Sequence, residues 1–156
     1  AIKKAKELGV DTILNPAPAA DIDESIFPFI DYFTPNETEA SFYVNHPVET
    51  HDDASKAAKT LLDMGIKNVI ITLGEKGAYF ANANETFSSP IANLSNPVVD
   101  TTGAGDAFNA GFAAALTEDQ NIKDAISFAS ATAGLSTTKI GTANSMPSRE
   151  EIDKIL

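Results

Sequence analysis

The segment whose residue types could carry chemistry runs from Asp100 to Phe112, with the sequence DTTGAGDAFNAGF. It enters a helix-forming run through Gly103 and Gly105, and glycines at such places let a backbone approach a ligand closely. The first amides of a helix have no partners within the helix, and the helix dipole adds positive potential beside them. The spacing therefore predicts a site for an anion, such as a phosphate group, at the start of this helix.

Asp106 stands where that anion would bind, and a carboxylate there is electrostatically unfavourable unless it has another task. The task that fits is to take the proton from a hydroxyl that attacks a phosphoryl group held by the neighbouring amides. An acid that merely favours the helix dipole remains an alternative on this segment alone. A dinucleotide-binding fingerprint is disfavoured because Phe108 replaces its third glycine, and no Gly-Lys-Ser/Thr sequence of a P-loop occurs.

Strands and helices alternate in the segments that must position these residues. Val69 to Leu73 is a run of β-branched residues that ends in leucine, typical of a strand buried on both faces of a parallel sheet. Further strands are predicted over 10–14, 32–33 and 98–99, with a hairpin of 78–81 and 85–87; helices are predicted over 23–30, 37–43, 52–64, 107–116, 122–137 and after Ser148. The pattern predicts an α/β fold that is Rossmann-like, with a mostly parallel sheet flanked by helices.

Composition excludes several classes of function. The chain has 156 residues, 11 Lys and Arg against 22 Asp and Glu, and a formal net charge of -11, so no cationic face for nucleic acid or an anionic membrane is expected. The absence of cysteine excludes disulfides, thiolate zinc sites and a cysteine nucleophile, and fits a cytoplasmic location. The chain starts inside a predicted helix without a methionine, which favours a piece of a longer protein.

The segment DTTGAGDAF resembles the C-terminal signature of the ribokinase family of sugar and nucleoside kinases. Four other segments agree with it in the right order: Asn15 to Ala19, Thr34 to Ala40, Ile71 to Gly74 with Gly77, and Thr138 to Thr142. The resemblance implies a ribokinase-like fold. It also implies that residues 1–156 are the C-terminal nucleotide-binding portion of the domain, without the N-terminal half and its lid.

The resemblance implies catalytic roles for the helix start and for a second motif. Asp106 matches the base that activates the primary hydroxyl of the sugar, and residues 103–105 (Gly103, Ala104, Gly105) match the anion hole. Asn36 and Glu39 match the Asn-x-x-Glu element that orders Mg²⁺, water and phosphate, with Glu39 acting on Mg²⁺ through water. A helix-capping asparagine followed by dipole-favoured acids is the alternative for this pair.

The resemblance also implies the residues that bind nucleotide and cation. The loop along the nucleotide, for which a plain surface turn is the alternative, comprises Thr72, Leu73, Gly74, Glu75, Lys76 and Gly77, and Ser130 lines the adenine pocket. A K⁺ site next to the anion hole would use Asp100, Thr102, Ser136, Lys139, Gly141 and Ser145. Lys139 would contribute only its carbonyl, because an ammonium group cannot ligate a cation.

The resemblance implies that the parent protein is a homodimer that transfers the γ-phosphoryl group of ATP to D-ribose, giving D-ribose 5-phosphate. The resemblance implies that the residues that select the sugar belong mainly to the N-terminal half, so fructose, 2-keto-3-deoxygluconate or a nucleoside remain alternative acceptors. A nucleotide-binding fragment without catalytic competence is the alternative from another class.

Overall fold

A five-stranded sheet with the strand order β1-β2-β3-β4-β5 organises the first part of the chain. The strands are β1 (Ile13–Leu14), β2 (Tyr32–Phe33), β3 (Asn68–Thr72), β4 (Ala78–Asn82) and β5 (Thr86–Ser89). β1, β2 and β3 run parallel, whereas β3 and β4 are antiparallel with Ile70 opposite Phe80. The side chains of Val69, Ile70 and Ile71 are all fully buried, which confirms that β3 is covered on both faces.

The computed structural model describes residues 1–156, and they divide into an N-terminal unit, residues 1–88, and a C-terminal unit, residues 89–156. In the N-terminal unit the helices are α1 (Ile2–Glu7), α2 (Glu37–Val44) and α3 (His51–Asp63), with 3₁₀ turns at Glu24–Phe29 and Gly74–Lys76. α3 buries a stripe at helical spacing, formed by Ala54, Ala57, Ala58 and Leu61. These residues join Phe33, Val69 and Ile71 in the core of the unit.

The C-terminal unit consists of α4 (Ala104–Thr117), α5 (Ile122–Ser136), a 3₁₀ turn at Ala143–Ser145 and α6 (Arg149–Asp153). α4 and α5 approach closely at Gly111, where an added Cβ would lie 2.6 Å from Thr132 Oγ1 and 3.1 Å from the Cα of Ala129. Phe112 and Ile126 are fully buried in this unit. No helix of the chain has both the length and the apolar character needed to cross a membrane.

The structure corrects three of the sequence predictions. The strand predicted over 10–14 is reduced to Ile13–Leu14, because the Thr12 amide turns to the Asp31 carboxylate at 3.0 Å. No strand forms over 98–99, where the Val99 amide donates to the Thr137 carbonyl at 2.8 Å and no neighbouring strand is present. α4 begins at Ala104 rather than residue 107, so the predicted anion hole and Asp106 lie in its first turn. The other elements lie within two residues of their predicted bounds, with 23–30 folding as a 3₁₀ turn.

Candidate active site

The start of α4 leaves backbone amides without acceptors. Gly103 is the N-cap residue with φ 79°, and no side chain caps the helix. The Ala104 amide donates to the Thr101 carbonyl at 3.1 Å, whereas the amides of Gly105 and Asp106 have no acceptor in the protein. By contrast, α2, α3 and α6 each begin with a capping box formed by side chains. An anion at the start of α4 would therefore find two N–H donors and the positive end of the helix dipole.

The Asp106 carboxylate is available for chemistry with an external group. Asp106 lies in the first turn of α4, its side chain is exposed, and none of the side-chain hydrogen bonds or ion pairs of the protein involves it. Both of its oxygens can therefore accept a proton or a hydrogen bond from a bound molecule. The helix dipole favours a carboxylate at this position, whether Asp106 acts as a base or is only an acid at the start of the helix.

Asp100 connects the turn before α4 to the segment that follows α5. Its Oδ1 accepts the Thr102 amide and its Oδ2 accepts the Gly141 amide, each at 2.9 Å. These bonds, the one from Gly141 first, hold the pKa of Asp100 below its ordinary value. Three of the residues predicted to surround K⁺ are thus brought together in the structure.

The remaining predicted cation ligands are dispersed along α5 and the following loop. The Ser136 hydroxyl donates to the Ala133 carbonyl at 2.7 Å, and the fully buried Ser145 donates to the Thr142 carbonyl at 2.6 Å. The Lys139 ammonium lies 3.0 Å from the Glu151 carboxylate, and since an ammonium group has no lone pair, only the Lys139 carbonyl could ligate a cation. The chain has no group of three or more His, Cys, Asp or Glu side chains that could hold a metal ion. Carboxylate, hydroxyl and carbonyl oxygens are nevertheless the donors that a hard cation prefers.

Asn36 and Glu39 form the capping box of α2 in the N-terminal unit. Asn36 Oδ1 accepts the Glu39 amide at 2.9 Å, and Glu39 Oε2 accepts the Asn36 amide at 2.8 Å. The capping role that the sequence left open is therefore realised. Glu39 Oε1 accepts no hydrogen bond, and since no fully buried side-chain polar atom lacks a partner, this oxygen reaches the surface. It suits a carboxylate that acts on Mg²⁺ through water.

The predicted nucleotide loop begins beside this capping box. Asn36 forms an isolated parallel bridge with Thr72, and the Thr72 amide donates to the Pro35 carbonyl at 3.0 Å. The structure thus places the Asn-x-x-Glu motif and the start of the loop at the carboxyl ends of the adjacent parallel strands β2 and β3. This is the edge of an α/β sheet where ligands bind.

The loop itself is a closed turn with an exposed tip. The Leu73 amide donates to the Gly77 carbonyl at 2.8 Å, and Gly77 adopts φ 87°, which favours glycine. Gly74, Glu75 and Lys76 are exposed at the tip, and the Lys76 ammonium donates to the Glu49 carbonyl at 2.6 Å. Ser130, predicted to line the adenine pocket, is half-buried in the middle of α5 in the C-terminal unit.

Sequence reasoning missed the contact between Thr142 and Gly103. A Cβ placed on Gly103 would lie 3.2 Å from Thr142 Cγ2, so Thr142 stands beside the N-cap residue of α4. No local pattern could have indicated this, because it depends on how the chain returns after α5.

Comparison with known proteins gives relatives along the whole chain. Residues 1–149 match the pfkB family carbohydrate kinases. The chain is 42% identical over 147 residues to the ribokinase of Haemophilus influenzae, covering 94% of this chain and 47% of that protein. It is 38% identical to the deoxyribokinase of Salmonella typhi, covering 100% of this chain and 51% of the relative. The chain therefore spans about half the length of the relatives that it matches.

The structure is similar to that of the Arabidopsis thaliana ribokinase complexed with ribose and ATP, with a TM-score of 0.93, 35% identity, and coverage of 99% of this chain and 50% of the other. The fold and the relatives define a ribokinase-like α/β kinase fold, which confirms the predicted fold class. The chain belongs to the pfkB family of carbohydrate kinases.

Proposed function

We propose that this chain is the nucleotide-binding and base-carrying portion of a kinase that phosphorylates the primary hydroxyl of D-ribose with ATP, giving D-ribose 5-phosphate. The observation that carries the proposal is the start of α4, where two amides without acceptors stand in the same turn as a carboxylate without a partner. A module that only bound phosphate would have no need of a negative charge at that place. The ribokinases among the relatives support ATP and ribose as substrates.

The proposed chemistry divides between the amides and the carboxylate of α4. The sugar oxygen bonds to the γ-phosphorus of ATP while the bond to the leaving oxygen of ADP breaks, and Asp106 takes the hydroxyl proton. The amides of Gly105 and Asp106, in the turn formed by Gly103 and Ala104, stabilise the charge that develops on the phosphoryl oxygens. Such donors are effective because they are already oriented before the reaction.

The N-terminal unit is proposed to act on the nucleotide and its metal ion. Mg²⁺ neutralises phosphate charge when bound, and Glu39 would hold it through water with the oxygen that the capping box leaves free. Asn36 would orient the same network, and residues 72–77 would lie along the nucleotide. In the C-terminal unit Ser130 would line the adenine site. The K⁺ ligands would be those predicted above: Asp100, Thr102, Ser136, Lys139, Gly141 and Ser145.

Deoxyribose is a second candidate acceptor, because the deoxyribokinase of Salmonella typhi is 38% identical over the whole chain. Fructose, 2-keto-3-deoxygluconate and nucleosides use the same chemistry and remain alternatives. We also propose that the parent enzyme is a homodimer.

The test is Asp106→Asn in the full-length kinase that contains this chain. We expect kcat with ribose to fall by about 10³-fold or more, while the Kd of a non-hydrolysable ATP analogue changes less than about threefold. The control is Asp119→Asn, which removes the same charge from an exposed residue with φ 56°, a conformation that asparagine tolerates. We expect this variant to retain full activity.

Survival of turnover in Asp106→Asn would mean that Asp106 is not the base. A wild-type protein that binds the analogue but phosphorylates neither ribose nor deoxyribose would favour the binding module without catalytic competence. The acceptors named above as alternatives are assayed in the same series.

A further inference from the structure

The Asp100 carboxylate joins two segments that are far apart in sequence. One of its oxygens accepts the amide of Thr102, in the turn before α4, and the other accepts the amide of Gly141, in the loop after α5. The backbone of the same segments is linked again where the Thr137 carbonyl accepts the amides of Val99 at 2.8 Å and of Asp100 at 3.1 Å. We refer to residues 137–145 as the post-α5 loop.

The bond from Gly141 fixes the next residue of that loop against the start of α4. The Cβ that Gly103 lacks would lie 3.2 Å from Thr142 Cγ2, 3.4 Å from its Cβ and 3.7 Å from its Cα. The other side of this segment is anchored by Ser145, which is fully buried and donates its hydroxyl to the Thr142 carbonyl at 2.6 Å. Thr142 is therefore held from both directions beside the N-cap residue of α4.

Gly103 determines the direction in which the free amides point. It is the residue where the chain turns into α4, and the amides of Gly105 and Asp106 follow in the first turn. A small shift of this turn would move both donors away from the charge that they stabilise. Errors of about 1 Å in such positions can cost about 100-fold in rate.

We propose that Asp100 is a positioning residue for the anion-binding amides, acting through Gly141 and Thr142 whether or not a cation is bound. The inference rests on the proposed phosphoryl transfer. It goes beyond the expected role of Asp100 as a cation ligand, because a ligand role alone makes Asp100 matter only when the cation is present. The two oxygens of Asp100 accept hydrogen bonds directly from the backbone amides of Thr102 and Gly141.

The test is Asp100→Asn in the full-length protein, assayed with K⁺ and in a buffer whose only monovalent cation is tetramethylammonium. The asparagine amide keeps one acceptor oxygen but presents an NH₂ group to the second backbone amide, so one of the two bonds is lost. We expect kcat in the K⁺-free buffer to fall at least tenfold, while KM for ATP changes less than about threefold. Asp119→Asn is the matched control and should leave both constants unchanged.

A second measurement does not depend on turnover. Hydrogen–deuterium exchange followed by mass spectrometry on the ligand-free protein reports on peptides that cover residues 100–106 and 137–145. We expect exchange in both peptides to become at least about threefold faster in Asp100→Asn, with peptides from α3 unchanged. If the wild-type enzyme proves inactive, the proposed function fails, and this measurement still decides whether Asp100 orders the two segments.

The proposal is overturned if Asp100→Asn only loses stimulation by K⁺ and keeps its K⁺-free rate, or if exchange in the two peptides is unchanged. Should Asp100→Asn fail to fold, Thr142→Ser replaces it, because serine lacks the Cγ2 atom that stands beside Gly103. We expect Thr142→Ser to lower kcat in the K⁺-free buffer at least threefold. Thr142→Val keeps the methyl group beside Gly103, and we expect it to retain the wild-type kcat. Equal rates for the serine variant and the wild type would overturn the proposal.

Discussion

At Glu39 a single carboxylate serves the fold with one oxygen and leaves the other free. Oε2 accepts the Asn36 amide in the capping box of α2, whereas Oε1 has no partner in the protein. Glutamine is as suitable as glutamate at this position of a capping box, since its carbonyl oxygen accepts the same bond. The structural and the proposed metal-ordering roles of Glu39 can therefore be separated by one substitution.

We expect Glu39→Gln to change the free energy of unfolding by less than about 1 kcal/mol and to raise the Mg²⁺ concentration for half-maximal activity at least tenfold. The measurements are urea unfolding and kinase assays over a range of Mg²⁺ at fixed ATP. Asp53→Asn is the control, because Asp53 occupies the same position in the capping box of α3. An unchanged Mg²⁺ dependence in Glu39→Gln would leave the pair with its capping role alone.

Individual residues were predictable from the sequence where their partners are local. Asn36 and Glu39 are three positions apart, a spacing at which helix geometry itself brings a cap and its reciprocal acceptor together. The bond from Gly141 to Asp100 spans 41 positions and depends on the path of two helices between them. The family resemblance places Asp100 and Gly141 near the start of α4, but no pattern in the sequence predicts the hydrogen bond between them.

At the scale of elements, the contact between α4 and α5 is set by the missing side chain of Gly111. An added Cβ would lie 2.9 Å from Thr132 Cβ and 3.1 Å from Ala129 Cα, and neither atom can rotate away. We expect Gly111→Ala to destabilise the C-terminal unit by about 1–3 kcal/mol despite the better helix propensity of alanine. Hydrogen exchange of peptides from α4 and α5, measured over a range of denaturant concentrations, gives the change in the free energy of unfolding.

Gly134→Ala is the control for this prediction. Gly134 lies inside α5, and the atoms nearest to its added Cβ, at 3.2 and 3.4 Å, are the terminal methyls of Leu94, which is only partly buried. Since that side chain can move, helix propensity should dominate and the variant should be neutral or more stable by up to about 1 kcal/mol. Equal losses in the two variants would show that α4 and α5 do not depend on close approach at Gly111.

Elements with a long periodic pattern were predicted well, and elements that need a partner were not. α3 shows its buried stripe in the sequence, and β3 shows a run of β-branched residues from Val69 to Thr72. Val98 and Val99 have the side chains of a strand, but they are 57% and 55% exposed and pair with no neighbouring strand. Strand propensity describes the fit of a side chain to a sheet and cannot supply the second strand.

At the scale of the whole molecule, the response to acid depends on a buried carboxylate in the N-terminal unit. Burial raises the pKa of Asp31, but hydrogen bonds from Lys6 at 2.5 Å and Lys67 at 2.9 Å, with those from Thr12, lower it to about 2. A carboxyl group with a lowered pKa stabilises the folded state above its unfolded pKa of about 3.9. That stabilisation is lost as the pH falls through the folded value.

We therefore expect the N-terminal unit to lose about 2 kcal/mol of stability between pH 4 and pH 2 through Asp31. All three tyrosines, Tyr32, Tyr43 and Tyr79, belong to this unit and the chain has no tryptophan, so tyrosine fluorescence in urea reports on it alone. Asp31→Asn should be less stable at pH 7 by about 3 kcal/mol and show a shallower pH dependence. Asp63→Asn, at an exposed ion pair with Lys59, is the control; equal pH profiles for Asp31→Asn and the wild type would contradict the assignment.

The uncapped start of α4 also bears on how long such a protein lasts in a cell. An anion would bind there only on the folded chain. Each tenfold increase of the anion concentration above Kd would therefore add about 1.4 kcal/mol to the free energy of unfolding. Proteases act on the small unfolded fraction, so the protein without a bound anion would be degraded first. Abundance of the enzyme would then follow the supply of its nucleotide without any dedicated regulator.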